Sequence, residues 1–199
     1  MAKGIIFREN MYEAIISESK TMTRRLMNPQ PVEIIEMPYG DRYFGIDTEN
    51  YSFPIKPRFK VGEKVYLKEE YLLGRHGLMY KNDRMIYQNV KGVWNNPLFM
   101  PEKYARNWIE IISVKVERIN DISNDDICSE GIFVYEGCNY TGSANGEPFE
   151  EYFSAFCNGD GSLYKTSREA FAALWDSING KGSWKRNEWV WVYEFKLIK

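Results

Sequence analysis

Hydrophobic and polar residues follow two rhythms along this chain, one helical and one of strict alternation. Near the start, GIIF over 4–7 reads as a short strand. ENMYEAIISES follows, with Met11, Ala14, Ile15 and then Glu18 at helical spacing. Asn10 is a candidate N-cap for that helix, with Glu13 three residues on. KTMTRRLM leaves the helix, its two Thr and its Met suiting extended or bent backbone. Pro29 and Pro31 then stop any helix. Residues 32–60 read as a hairpin or a long excursion, with a turn signal in PYGDRYFG. KVGEK is a tight turn ahead of VYLKEEYLL, a strand at 64–72, and RHGLMYKNDRMIYQ reads as a second hairpin turning near Lys81–Asp83.

The Pro-punctuated loop NNPLFMPEKYA leads into WIEIISVKVERI, the clearest strand of the chain, at 108–119. It sets Ile109, Ile111, Ser113, Lys115 and Glu117 on one face and Trp108, Glu110, Ile112, Val114 and Val116 on the other. In DISNDDICSEG, Asp121 or Ser123 can cap a short helix that Gly131 can end. Residues 132–165 are rich in Gly, Asn and Tyr and read as an irregular insertion. TSREAFAALWDSING, 166–180, is a helix with a Thr166–Glu169 capping box, a stripe of Phe171, Leu174, Trp175 and Ile178, and Gly180 as its C-cap. EWVWVYEFKLI, 188–198, closes the chain as a strand with Trp189, Trp191, Tyr193 and Phe195 on one face. Strands separated by turns rather than by regular crossover helices argue for a mainly antiparallel sheet or small barrel with about three helices packed around it.

Composition narrows the function. The 199 residues fit one domain and can bury a core without disulfides or metal. The balance of 26 basic and 28 acidic residues argues against a protein that coats long polyanions. The charge is uneven, however: residues 120–160 carry nine acidic residues and no basic one, which leaves 26 basic against 19 acidic elsewhere. A local basic face for a nucleotide or a short nucleic acid is therefore open. Cys128, Cys138 and Cys157 form an odd set without a secretory leader, which points to free thiols in a reducing compartment. No apolar run approaches a membrane span, so a cytoplasmic protein is expected.

One His (His76) and three widely spaced Cys do not make a zinc site, and no other metal or cofactor is expected. There is no GxSxG and no phosphate-binding Walker loop. A nucleophile would have to be Thr, Ser or Cys activated by Lys or Glu. The densest polar cluster is Ser19-Lys20-Thr21-Met22-Thr23-Arg24-Arg25. Its three cations and interleaved hydroxyls could hold a phosphate or a nucleobase edge; the alternative is a solvated helix end. In a strand, Thr21, Thr23 and Arg25 share one face and Lys20, Met22 and Arg24 the other, so a Lys20–Thr23 dyad needs a bend here. Glu69 and Glu70 sit in the predicted strand, where an inward Glu could line a cleft or pair with an arginine. Arg24 and Arg25 are candidates for phosphate, and Asp125 and Asp126 for a solvated helix start. The aromatic closing strand reads as core, whereas Trp94 and Trp184 are candidate stacking residues in loops.

KTMTRR after a short strand and helix resembles the GRKTxTxR signature of the ASCH family in the PUA-like superfamily. DISNDDICSEGI resembles that family's second block, and EWVWVYEFKLI its terminal strand. The chain is similar, more closely, to phage and prophage ASCH-type proteins. These share the opening strand-helix-KTxTRR, a VGExVYLKE-like strand, a Pro-bounded MP loop before a long strand, and FxxLWDSINGKxxWxxNxWVWVYEF. The resemblance implies a single PUA-like β-barrel, mostly antiparallel, with insertions near 32–60 and 132–165 and a cleft between the first helix and the sheet. Related domains bind RNA or read modified bases, and one small ASCH group hydrolyses the amide of N4-acetylcytidine. Its catalytic Lys, Thr and Glu fall on Lys20, Thr23 and Glu130. The Gly-Arg before that Lys is Glu18-Ser19 here. The expected ligand is a nucleotide, a modified nucleoside or single-stranded RNA, held by Thr21, Arg24, Arg25 and Glu69 beside the catalytic set. The different-class alternative is a phage accessory protein without activity that binds a host protein through the acidic 120–160 segment.

Overall fold

The closing strand β13 (Trp189–Ile198) is the spine of the molecule. In the computed structural model, which describes residues 2–37, 43–75, 77–83, 93–135, 152–154 and 162–198, it pairs antiparallel with β9 (Trp108–Arg118) on one side and β2 (Met22–Leu26) on the other. Both of its faces are covered: Val190 and Val192 are buried on one, Trp191, Tyr193 and Phe195 on the other. The aromatic face meets ring edges, Trp191 against Tyr43 at 5.1 Å and Tyr193 against Phe59 at 5.3 Å.

β1 (Lys3–Ile6) and β6 (Lys64–Lys68) complete a five-stranded sheet in the order β1-β6-β9-β13-β2. Only the β1–β6 pair among these is parallel. Helix α1 (Glu9–Ile16) carries the chain from β1 at one edge to β2 at the other. The two edges approach each other, and Arg25 Nη2 of β2 donates to Ile6 O of β1 at 2.8 Å. The architecture is thus mainly β, mostly antiparallel and barrel-like, and the described residues include three helices: α1, α2 (Asn124–Ser129) and α3 (Ser167–Asn179).

Alternation along β9 does not run its whole length. Glu194 of β13 opposes Ser113, but Phe195 opposes Ile111, so the register skips Ile112. This bulge moves the inward set from odd to even positions. Ile109 and Ile111 are buried, Val114 and Val116 pack on the core, and Ile112 is exposed.

The insertions are ordered where described. β3 (Glu33–Glu36), β4 (Tyr43–Ile46) and β5 (Ser52–Ile55) form a three-stranded antiparallel sheet. The segment read as irregular contains a second such sheet, β10 (Phe133–Tyr135), β11 (Tyr152–Ser154) and β12 (Leu163–Tyr164). The strand expected over 64–72 breaks at Glu69–Glu70, and the following hairpin pairs β7 (Tyr71–Gly74) with β8 (Gly77–Tyr80). This hairpin reverses between Gly74 and Gly77, where Gly77 takes φ 108°. The turn read near Lys81–Asp83 would lead into residues 84–88, which lie outside the described residues. Among the described residues no helix is long and apolar enough to cross a membrane.

Helix caps follow the sequence with one exception. Ser123 caps α2 and Thr166 caps α3 through bonds to the Asp126 and Glu169 amides. Helix α1 instead starts one residue before Asn10, with Arg8 at the N-cap and Glu9 in the first turn, where its carboxylate suits the positive end of the helix. Gly180 closes α3 at φ 96°, and Gly131 follows α2 at φ 93°.

Candidate functional site

Residues Ser17 to Thr21 decide where the site forms. Helix α1 ends at Ile16, and Glu18 turns the chain at φ 60°. The Ser19 and Lys20 amides and the Ser19 hydroxyl all converge on Ala14 O. The left-handed turn that commonly takes Gly is here made by Glu18. Thr21 N then donates to Ser129 O, and Thr21 O accepts from Phe195 N. The first of these bonds draws the start of β2 against the end of α2, and the second ties it to β13. Glu130 is the C-cap of α2, so Lys20 and Glu130 meet across 110 residues of sequence.

The meeting is close and dry. Lys20 Nζ donates to Glu130 Oε2 at 2.5 Å and to Glu130 O at 2.8 Å, and both side chains are at least 95 % buried. Burial pushes the Lys20 ammonium below its ordinary range; Glu130 opposes that, while Arg25 and Arg24 reinforce it. The other carboxylate oxygen, Oε1, takes Arg24 Nη1 at 3.2 Å. Arg24 also donates from Nε to Glu117 at 2.7 Å and from Nη2 to Asp126 at 2.6 Å. Burial opposes the charge on Arg24, but the carboxylates of Glu130 and Glu117 outweigh it, and its pKa is raised.

A hollow of about 270 Å³ opens beside this pair, between β1, β2, α1 and α3. Lys20, Thr23, Arg24, Arg25 and Glu130 all contribute to its wall. Neighbouring residues of β2 can share it because β2 is an edge strand, reachable from either face. Phe7, Met11, Phe171, Leu174 and Trp175 form the apolar side. The Phe7 ring lies 5.0 Å from the Arg25 guanidinium and 5.9 Å from Lys20 Nζ. Two donors in this wall, Arg25 Nε and Trp175 Nε1, are buried with no hydrogen-bond partner among the described residues. Thr23 is also buried, and its hydroxyl has no partner among them. No hydrogen bond joins Lys20 to Thr23, although both line the hollow.

The other sequence candidates fall elsewhere. Thr21 contributes backbone bonds and is not part of the wall. Arg24 is in the wall, but all three guanidinium nitrogens are occupied by carboxylates, so it organises the site instead of offering a free cation. Glu69 is buried in a separate cluster, where it accepts from Tyr12 Oη at 2.6 Å, from Arg106 twice at 2.7 Å and from Asn82 at 3.2 Å. It lines a smaller hollow of about 150 Å³. Asp126 is no mere solvated helix start, since it pairs with Arg24. Trp184 is half-buried and packs edge-on against Phe171 at 5.9 Å, on the border of the core.

Sequence reasoning missed Phe7, Trp175 and Glu117. Phe7 and Trp175 carry apolar patterns that read equally as core, and Glu117 reads as one polar position of an alternating strand. His76, Cys138, Cys157 and most of the acidic stretch, 136–151 and 155–161, lie outside the described residues. Among the described residues no group of three His, Cys, Asp or Glu is placed to hold a metal ion. Comparison with family models, with curated proteins and with solved structures found no match to this chain.

Proposed function

We propose that the chain is an ASCH-type domain that takes a nucleotide or modified base into the Lys20 hollow and hydrolyses the amide of an acylated cytosine. The observation that supports this reading is the convergence of Lys20, Thr23 and Glu130 on one partly apolar hollow. Such a site excludes water around a planar base while a few polar groups orient it. The unpartnered donors of Arg25 and Trp175 suit a carbonyl-bearing ligand, which would supply their missing acceptors.

The chemistry follows from the residues. A desolvated lysine is a stronger candidate base than an exposed one, because less of it is held as ammonium. Lys20 takes the proton of the Thr23 hydroxyl as Thr23 Oγ1 attacks the acyl carbon. The C–N bond breaks, the cytosine amine leaves with a proton relayed through Glu130, and the acyl group rests on Thr23 as an ester. Water then attacks the ester carbonyl, the acyl group leaves as the free carboxylic acid, and the Thr23 hydroxyl regains its proton. Catalytic hydrogen bonds commonly tighten only once substrate is present, so the lack of a Lys20–Thr23 bond does not oppose the scheme.

The test is a panel of N4-acylated cytidines and cytosines followed by chromatography for the freed amine. Turnover that disappears in Lys20→Met and Thr23→Val is expected. Saturable binding without turnover would reduce the function to recognition, and neither binding nor turnover across the panel would overturn the reading.

A further inference from the structure

On the far side of Arg25 lies a second hollow, of about 360 Å³. It shares Ile6, Arg25 and Leu26 with the Lys20 hollow, so the Arg25 side chain, tied to Ile6 O, is a partition between the two. Its charge is one-sided. Arg25, Arg58 and Lys68 contribute to its wall, and among the described residues no Asp or Glu does.

None of these three cations has a carboxylate within ion-pair distance among the described residues. Arg58 Nη2 donates to Gly4 O at 3.1 Å, and its guanidinium lies 5.2 Å from the Phe59 ring. Lys68 Nζ donates to Leu98 O at 2.7 Å and lies 5.7 Å from the Tyr66 ring. Lys68 also crosses the bare backbone of Gly4, where an added Cβ would come 2.5 Å from Lys68 Cε. Burial makes the Arg25 charge costly; Glu130 offsets this and Arg58 adds to it. Glu130 is already held by Lys20 and Arg24. The cations are therefore held by backbone carbonyls and ring faces, in a concavity that no carboxylate lines among the described residues. Guanidinium groups fixed in this way suit the planar, multidentate recognition of phosphate oxygens.

We propose that this second hollow is a phosphate subsite, and that the ligand of the adjoining Lys20 hollow is a phosphate-bearing nucleotide, not a free nucleoside. The inference rests on the reading of the Lys20 hollow as a base site. A base in the first hollow and a phosphate in the second would straddle Arg25, which then touches both parts of one ligand.

The first arm of the test titrates inorganic phosphate into the ¹⁵N-labelled protein at low salt, with chloride at matched ionic strength as control. Saturable shifts of the Gly4, Arg58 and Phe59 amides are expected. In the Arg58→Gln/Lys68→Gln double variant, affinity should fall at least tenfold. No shift at these amides, or equal affinity in the double variant, would overturn the subsite; if that variant fails to fold, the wild-type shift map decides alone.

The second arm compares cytidine, cytidine 5′-monophosphate and a cytidine dinucleotide. The proposal expects the phosphorylated ligands to bind at least tenfold more tightly than cytidine. A preference for the monophosphate identifies a terminal phosphate as the bound group, and a preference for the dinucleotide identifies an internal diester. Equal binding of all three would overturn the claim about the ligand. Phosphate binding without any nucleoside or nucleotide binding would leave the anion subsite standing while removing the base-site reading on which the link depends.

Discussion

Arg24 grips Glu130 at Oε1 and leaves Oε2 to Lys20. The same guanidinium holds Glu117 and Asp126, so one buried cation binds three carboxylates from β9, α2 and the α2 C-cap. Removing it leaves Glu117 and Asp126 without this partner and the buried Glu130 with Lys20 alone. Breaking a buried pair from one side costs about 3–5 kcal/mol. Arg24→Met should therefore lower unfolding stability by about that amount, measured by denaturant titration. Arg24→Lys should recover only part of the loss, because one ammonium cannot reach three carboxylates in the planar fork geometry of Arg24. A loss below about 1 kcal/mol in Arg24→Met would show that the cluster is not a keystone.

Lys20 makes stability depend on pH in a definite direction. Its pKa is lowered in the fold by burial, against Glu130 and with help from Arg25 and Arg24, from an ordinary value of 10.5. Between the lowered value and 10.5 the unfolded chain binds the proton that the folded chain has released. Stability from this group therefore rises with pH through that window and levels off above it. The stability of the wild type minus that of Lys20→Met should climb as pH approaches 10.5, since subtraction removes the other titrating groups. A flat or falling difference in denaturant titrations across alkaline pH would mean that Glu130 outweighs burial.

Much of this arrangement was legible in the chain. The long strands β9 and β13, the Thr166 and Ser123 caps, and the glycines after α2 and α3 carry strong local signals, and they form as read. The Lys20–Glu130 contact was reachable through the resemblance of two short motifs. What failed depends on geometry that no local pattern encodes. The Ile112 bulge reverses the facing of half a strand, and the apolar sequence at 109–116 fits either parity. Glu69 looks like a strand residue, but its four hydrogen bonds come from Tyr12, Asn82 and Arg106, far apart in sequence. Arg58 follows Pro57 in an unremarkable loop, and only the curl of β1 towards β2 places it near Arg25.

Thr23, the nucleophile of the proposed reaction, offers a way to separate that chemistry from stability. Its side chain is buried in β2, yet its hydroxyl has no hydrogen-bond partner among the described residues. Replacing an unpaired hydroxyl in the wall of the hollow by a methyl removes one polar atom and little else. Val is also at home in a strand. Thr23→Val should leave unfolding stability unchanged or slightly raised, within about 0.5 kcal/mol, while acylated-cytidine turnover disappears. A large loss of stability would reveal a bonding role for the hydroxyl, and retained turnover would remove Thr23 as the nucleophile.

Glu18 offers a test of the turn that aims Lys20. It adopts φ 60°, a left-handed conformation that costs an L-residue roughly 1–2 kcal/mol and costs Gly nothing sterically. Gly has the greater freedom to lose on folding, about 0.5–1 kcal/mol, which offsets part of the gain. Glu18→Gly should thus stabilise the fold by up to about 1 kcal/mol, read from the denaturation midpoint at constant slope. Glu18→Val should do the opposite, because a β-branched side chain is the least tolerant of this backbone region. If both variants destabilise equally, the Glu18 side chain itself, and not its backbone conformation, holds the end of α1 in place ahead of Lys20.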